Sequence, residues 1–247
     1  TSSSVKASGS KYYSDNLEDG SLKKSAWIRT SMPDSWDNNG KTLNGNDFDD
    51  DDHWFRTDSQ GFLIAGKTKK INSKWYVFDE DGVMQDGLVV LSDNKVSGST
   101  FVRSIDEDNT TADDIYKDDA TYPTEHIFYF SADEEKDGSM KTGSSIKISL
   151  ADDDYKFGFN KTSGQAYQGV KNNKLYNKGI LQEANDDKYK KVTVGGKDYC
   201  VGTSGSIMKG NHYYKDANDE YIAVKNNGKD YIVTDGLTLD QAKDAIK

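Results

Sequence analysis

HWFRTDSQGFLIAG (residues 53–66) and KWYVFDEDGVMQDG (residues 74–87) carry one pattern twice. Trp54 and Trp75, Gly61 and Gly82, and Gly66 and Gly87 are each 21 residues apart. In both stretches an aromatic pair runs into a polar tract and a glycine. An apolar residue follows two places on, and a second glycine five places on. Strand alternation puts Trp75 and Val77 on one face, Tyr76 and Phe78 on the other. Residues 79–82 supply the connection, with Gly82 free to take the positive φ that a hairpin loop needs. Each stretch reads as a β-hairpin.

The pattern spreads in both directions. KYYSDNLEDGSLKKS has Gly20, with Ser25 in the second-glycine place, and WDNNGKTLNG has Gly40 and Gly45. FYFSADEEKDGSMKTG has Gly138 and Gly143 behind a longer turn, and YKFGFNKTSGQAYQG has Gly164 and Gly169. LYNKGILQEA is a shortened copy with Gly179 and Ala184. KDYCVGTSGSIMKG has Gly205 and Gly210, with Asp198 where Trp75 stands, and a weaker copy follows at residues 221–228. Chance placement of the glycines gives about 2 Gly-x4-Gly pairs, and six are present. The apolar residue two places after the turn glycine recurs as Leu22, Leu63, Met84, Met140, Leu181 and Ile207, with Ala166 smaller and Thr42 an exception.

A lone two-stranded hairpin is marginal in water. The copies must therefore stack and bury a thin continuous core, with the apolar stripe facing inward. The expected fold is all-β, a β-hairpin repeat solenoid with an irregular insertion and a short C-terminal helix. The chain divides into a flexible linker at 1–10, regular hairpin repeats at 11–90, an acidic insertion at 91–125, degenerate hairpin repeats at 126–236 and a capping helix at 237–247. The insertion, with SIDEDNTTADDIYKDDATYPT, is acidic and sparsely apolar and reads as a long loop or an added hairpin through FVRSI. In LTLDQAKDAIK, Thr238 and Gln241 have capping-box spacing, which places a short helix carrying Leu239, Ala242 and Ile246 against the last hairpin.

Composition narrows the function classes. Fifteen Tyr, 22 Gly and only two Pro in 247 residues favour short strands and tight turns. A net charge of -10 argues against a nucleic-acid partner, which needs clustered Lys and Arg, and against anionic membranes. No stretch approaches the length of a membrane span. The single cysteine, Cys200, permits no intrachain disulfide and no cysteine-based zinc cluster, and reads as a packed residue. The chain starts at Thr1 with a Ser-rich tract, as a mature or trimmed product would.

The copies at 53–66 and 74–87, together with KYYSDNLEDGSLKKSAW, resemble the choline-binding, cell-wall-binding and glucan-binding repeats of Gram-positive surface proteins, autolysins and toxin tails. The resemblance covers residues 11–87 well and 127–210 more loosely. It implies a β-hairpin solenoid that recognises glycans, or choline on teichoic acids, in grooves between hairpins. The chain departs from the family where a Trp follows the second glycine. Only Trp27 fits; the other copies carry Asn46, Lys67, Leu88, Ser144 and Val170. The hairpin Trp is replaced by Ile127, Lys156 and Asp198 in later copies. Quaternary ammonium recognition needs aromatic cages, so a full ladder of choline sites is not expected; a single one near Trp27, Trp54 and Phe55 stays open, and a glycan is favoured over choline.

Catalytic chemistry finds no support in the sequence. His53, His126 and His212 have no zinc-binding spacing, and no nucleophile elbow is present. The carboxylate runs at 49–52 and 152–154 read as solvated loops. Asp133, Glu135, Asp137 and Gly138 match the start of a calcium loop, but Ser144 stands where the closing Glu belongs. No catalytic residue, metal or cofactor is expected.

The candidate ligand-binding residues are Trp27, Trp36, Trp54, Phe55, Trp75 and Tyr76, clustered where the repeats are most regular. For Trp54 and Trp75 a binding and a packing role fit equally, and for Tyr76 and Phe78 packing is the stronger reading. The expected function is a non-enzymatic, secreted or cell-surface module for cell-wall polysaccharide, teichoic acid or another glycan. The alternatives are a structural spacer or adhesin stalk presenting the insertion to a protein, and the targeting tail of a larger hydrolase or toxin.

Overall fold

An aspartate or asparagine opens four of the turns, while Ser131 and Gly202 open two others. The Asp58 carboxylate accepts from the main-chain N–H of Gln60 and Phe62 at 2.8 and 3.0 Å. Asp79 accepts from Asp81 and Val83, both at 2.9 Å. Asp216 does the same for Asn218 and Glu220, both at 2.9 Å. In a further turn the Asn160 amide oxygen accepts from Thr162 and Ser163 at 2.8 and 3.1 Å. These side chains mimic a main-chain turn and hold it closed. The backbone locks it again, with the N–H of Asp58, Asp79 and Asp216 donating to the carbonyls of Phe62, Val83 and Glu220 at 2.8, 3.0 and 2.9 Å.

The computed structural model describes residues 21–33, 48–117, 120–131, 138–228 and 230–247. The expected linker at 1–10, the first ten residues of the first copy, the copy at Gly40 and Gly45, and Trp36 lie outside the described residues. The calcium-like residues Asp133, Glu135 and Asp137 do as well.

The described chain is all-β in build, with small antiparallel sheets and two short α-helices. It divides into two compact units, one of residues 1–105 with 128–141 and one of residues 106–127 with 142–247. In the first, Trp27–Pro33 pairs with Phe48–Arg56, and Lys67–Ile71, Lys74–Phe78 and Met84–Gln85 form a three-stranded sheet. A four-stranded sheet runs in the order Phe101–Ser104, Gly87–Leu91, Ile127–Phe130, Met140–Lys141. In the second, Gly143–Ser149, Asp154–Phe159, Ile180–Leu181, Lys174–Asn177 and Gly169–Lys171 make a five-stranded sheet. Tyr189–Val194 pairs with Lys197–Gly202, and His212–Lys215, Tyr221–Asn226 and Tyr231–Leu237 complete that unit.

Stacking follows one steric rule. In five of the copies the turn glycine faces the apolar stripe residue of the copy before it. A Cβ on Gly61 would stand 2.8 Å from the Leu22 Cβ, and one on Gly205 would stand 2.6 Å from the Leu181 Cδ1. The same approach joins Gly82 to Leu63 at 3.5 Å and Gly179 to Ala166 at 3.2 Å. Gly138 lies against Met84, so the copy after the insertion stacks directly on the copy before it. Gly61 and Gly205 also hold φ at +97° and +74°, so both backbone and packing require glycine there. A main-chain bond repeats along the stack as well. The residue in the second-glycine place donates to the turn-opening carbonyl of the next described copy: Ser25 to Asp58 at 2.8 Å, Gly66 to Asp79 at 2.6 Å and Ala184 to Gly202 at 3.1 Å.

The core is a chain of small clusters, as stacked hairpins dictate. Ile28, Phe55 and Val83 form one, Ile64, Ile71, Tyr76 and Phe78 the next, and Val77, Val89, Leu91, Val96, Phe128 and Phe130 a third. In the second unit Leu175, Val194, Val201 and Ile207 form one cluster, and Cys200, Ile222, Val224 and Val233 another. Burying each of these large side chains contributes about 1.5–3 kcal/mol.

Within 91–125, Phe101–Ser104 pairs antiparallel with Gly87–Leu91, the added hairpin expected through FVRSI. The six-residue helix Ala112–Lys117 was not expected. Thr111 and Asp114 cap its start reciprocally, at 3.0 and 3.2 Å, and Ala112 and Ile115 are its buried residues. At the C-terminus Leu239–Ala245 is helical, with Thr238 and Gln241 in the expected capping box. Ala242 is buried, whereas Leu239 turns outward.

Candidate functional site

The pairing of Trp27–Pro33 with Phe48–Arg56 sorts the candidate aromatics onto two faces. Trp27 stands opposite Arg56, Ile28 opposite Phe55 and Arg29 opposite Trp54. Directly opposed residues share a face and neighbours alternate. Trp27, Arg29, Trp54 and Arg56 therefore occupy one side, Ile28 and Phe55 the other. Phe55 is 4% exposed and packs with Ile28 and Val83; it is a core residue here, not part of an open surface. The end of the hairpin is pinned by Thr57, whose hydroxyl accepts from the Ala26 N–H at 3.1 Å, while the Thr57 N–H donates to the Ala26 carbonyl at 3.0 Å.

On the outer side the rings form a corner. The indoles of Trp27 and Trp54 meet nearly perpendicular, 88° apart in plane with centroids 6.3 Å apart. Tyr76 and Phe78, successive residues on one face of the strand Lys74–Phe78, back onto Trp27 at 4.9 and 6.1 Å. Trp27 is thereby half-buried and Trp54 remains 39% exposed. The Arg56 guanidinium lies over the Trp27 ring, 5.4 Å from its centroid. Burial against these rings lowers the Arg56 pKa, and the nearby Tyr76 phenol opposes that in part. Beside them Arg29 pairs with Asp52 at 3.5 Å. The result is an open aromatic wall edged by charged and hydrogen-bonding groups.

The structure brings Trp27, Trp54 and Tyr76 together and separates Trp75 from them. Trp75 is on the opposite face of its strand, packed with Val77 against the cluster of Val89, Leu91, Phe128 and Phe130. Lys70 stands 6.0 Å above its ring. Tyr76 itself is 9% exposed and backs the corner more than it lines it. Trp36 lies outside the described residues.

Two features of the second unit went unmarked in the sequence. His212, Tyr213, Tyr214, Tyr221 and Tyr189 form a linked set of rings, with His212 parallel to Tyr213 at 5.5 Å and Tyr189 against Tyr214 at 4.8 Å. The HYY run at 212–214 was the available signal. A cavity of about 300 Å³ lies between Lys197–Gly202 and Tyr231–Leu237, lined by Tyr199, Tyr231 and Ile232 and edged by the ion pair of Lys197 with Asp230 at 2.9 Å. Cys200 is fully buried, and burial pushes its thiol up to about 12, far from a nucleophile at neutral pH. Tyr116, half-buried, accepts from the Gln182 amide at 2.9 Å. Among the described residues no group of three His, Cys, Asp or Glu side chains could hold a metal ion. No described helix is long and apolar enough to cross a membrane.

No family model matches the chain, and no curated protein matches it. Among solved structures the chain is similar to choline-binding proteins. CbpF in complex with ipratropium aligns at a TM-score of 0.47 and 18% identity, over 90% of this chain and 59% of that one. The pneumococcal cell wall endolysin from phage Cp-1, complexed with choline, aligns at 0.35 and 13%, over 85% of this chain and 38% of that one. CbpJ from Streptococcus pneumoniae TIGR4 aligns at 0.29 and 16%, over 94% and 87%. The chain thus spans about 59% and 38% of the first two.

Proposed function

We propose that this chain is a non-enzymatic binding module, secreted or displayed at a cell surface, that attaches to a cell-wall polysaccharide, teichoic acid or other glycan. The observation that carries the reading is the corner of Trp27 and Trp54. An indole 39% exposed on a rigid hairpin, set perpendicular to a second indole, offers a wide apolar face at little conformational cost. Asp52, Arg29 and Arg56 supply polar groups along its edge. A sugar ring needs both: an apolar face to lie on and donors and acceptors for its hydroxyls. The repeat resemblance to cell-wall-binding proteins supports the same reading. Of the residues expected to bind, Trp27, Trp54 and Tyr76 are retained in this proposal.

The test is co-sedimentation of the purified protein with insoluble bacterial walls, walls stripped of teichoic acid, and insoluble glucans. Retention on at least one, released by the matching soluble polymer, is the expected outcome. Passage through all of them would leave the structural-spacer reading in its place.

A further inference from the structure

We propose that Arg56 is a built-in cation for the Trp27 and Trp54 corner, and that it sets the ligand class of this surface by shutting out quaternary ammonium groups. The proposal rests on reading that corner as the binding surface. Two perpendicular indoles backed by a tyrosine are the walls with which a protein encloses a compact organic cation. Here one wall already faces a cation from its own chain. Arg56 sits directly opposite Trp27 in the strand pairing, so the backbone fixes its approach. Its guanidinium carbon is 5.4 Å from the ring centroid, inside the range of a cation–π contact. The planar guanidinium stacks on an aromatic face better than an ammonium does, and it is more weakly hydrated.

Two comparisons within the chain single this residue out. The position two before the turn-opening residue holds Val77 in the next copy, Gly158 in the copy at 156–160 and Cys200 in the copy at 198–202. Only the copy that carries the open indole pair has an arginine among these. Arg29, on the same face, directs its charge to Asp52 at 3.5 Å rather than to a ring. Desolvation is the largest cause of the depressed pKa of Arg56, in keeping with a head group partly covered where it meets the Trp27 ring.

A tethered cation competes at the high effective concentration of an intramolecular partner. A free quaternary ammonium must displace Arg56 before it reaches Trp27. A neutral sugar lying on Trp54 need not displace it, and can use its N–H groups as donors. The corner is therefore selective for hydroxyl-rich, uncharged rings over choline.

Tryptophan fluorescence titrated with choline chloride, against sodium chloride at equal ionic strength, tests this on the wild type, Arg56→Ala, Arg56→Gln and Arg56→Lys. Circular dichroism establishes which variants keep the fold. Removal of the charge by Ala or Gln is expected to tighten choline binding at least about tenfold, with Lys remaining close to wild type. Wild-type affinity for choline equal to that of Arg56→Ala, or no gain in folded Ala and Gln variants, would overturn the proposal. Wall and glucan co-sedimentation of the same proteins reads the binding function separately. If the wild type is retained on nothing while Arg56→Ala gains choline binding, the glycan reading fails and the role of Arg56 stands.

Discussion

The hairpin at residues 54–58 and the one at residues 156–160 share a turn and differ in where they spend their aromatic rings. Asp58 and Asn160 both open the turn with a side-chain oxygen accepting two main-chain N–H groups. In the second hairpin Phe157 and Phe159 lie parallel at 6.0 Å and are fully buried. In the first, Phe55 goes inward and Trp54 stays out. One backbone device thus serves two ends. Phe157 and Phe159 share one face of their strand, the face that Phe55 takes in the first hairpin; the position of Trp54 on the other face holds the exposed Lys156, so only the first hairpin presents a ring outward.

The contrast can be broken from its structural side first. Phe157→Ala is expected to destabilise by about 3–5 kcal/mol, because the site cannot collapse around a buried ring. A urea midpoint that barely moves would show that these rings do not hold the unit. Gly205→Ala comes next, at about 3 kcal/mol, combining a Cβ 2.6 Å from Leu181 with a φ of +74°. The control is Gly228→Ala, with φ at +89° and nothing within 4 Å of the added Cβ, expected to cost about 1–2 kcal/mol. Equal losses would mean that close approach between copies contributes nothing. Trp54→Ala should cost less than about 1 kcal/mol of stability, as exposed positions do, while impairing binding.

The smallest effect separates the two turn chemistries. Burial raises the Asp79 pKa, outweighing the N–H bonds of Val83 and Asp81 that lower it. The folded chain therefore keeps that proton at a pH where the unfolded chain has lost it. The stability contributed by this group falls as pH rises from the ordinary carboxylate range through the raised folded value. Asp79→Asn, which copies Asn160, should remove that slope from urea midpoints measured between pH 4 and 7. A variant that tracks the wild-type slope would refute the assignment.

The repeat was legible because glycine spacing and the apolar stripe are local patterns. The Gly61, Gly82 and Gly205 contacts give that spacing a steric cause, which sequence alone does not display. Strand alternation already separated Trp75 from Tyr76, and the structure keeps them in different clusters. The same alternation places Trp54 and Phe55 on opposite faces, so a single site holding both was inconsistent with its own rule. The corner itself was less accessible, because Trp27 reaches Tyr76 across 48 residues of intervening chain. The short helix at Ala112–Lys117 was missed where Thr111 and Asp114 offered a cap signal inside an acidic tract. Arg56 carried no signal of its own, since its meaning depends on the ring opposite.

The most direct test compares wild type with Trp54→Ala in equilibrium binding to the wall or polysaccharide that retains the protein, with the urea midpoint measured alongside. A loss of affinity of at least about tenfold at nearly unchanged stability is the predicted result. Equal affinity in the two proteins would contradict the claim that the Trp27 and Trp54 corner is the surface that binds.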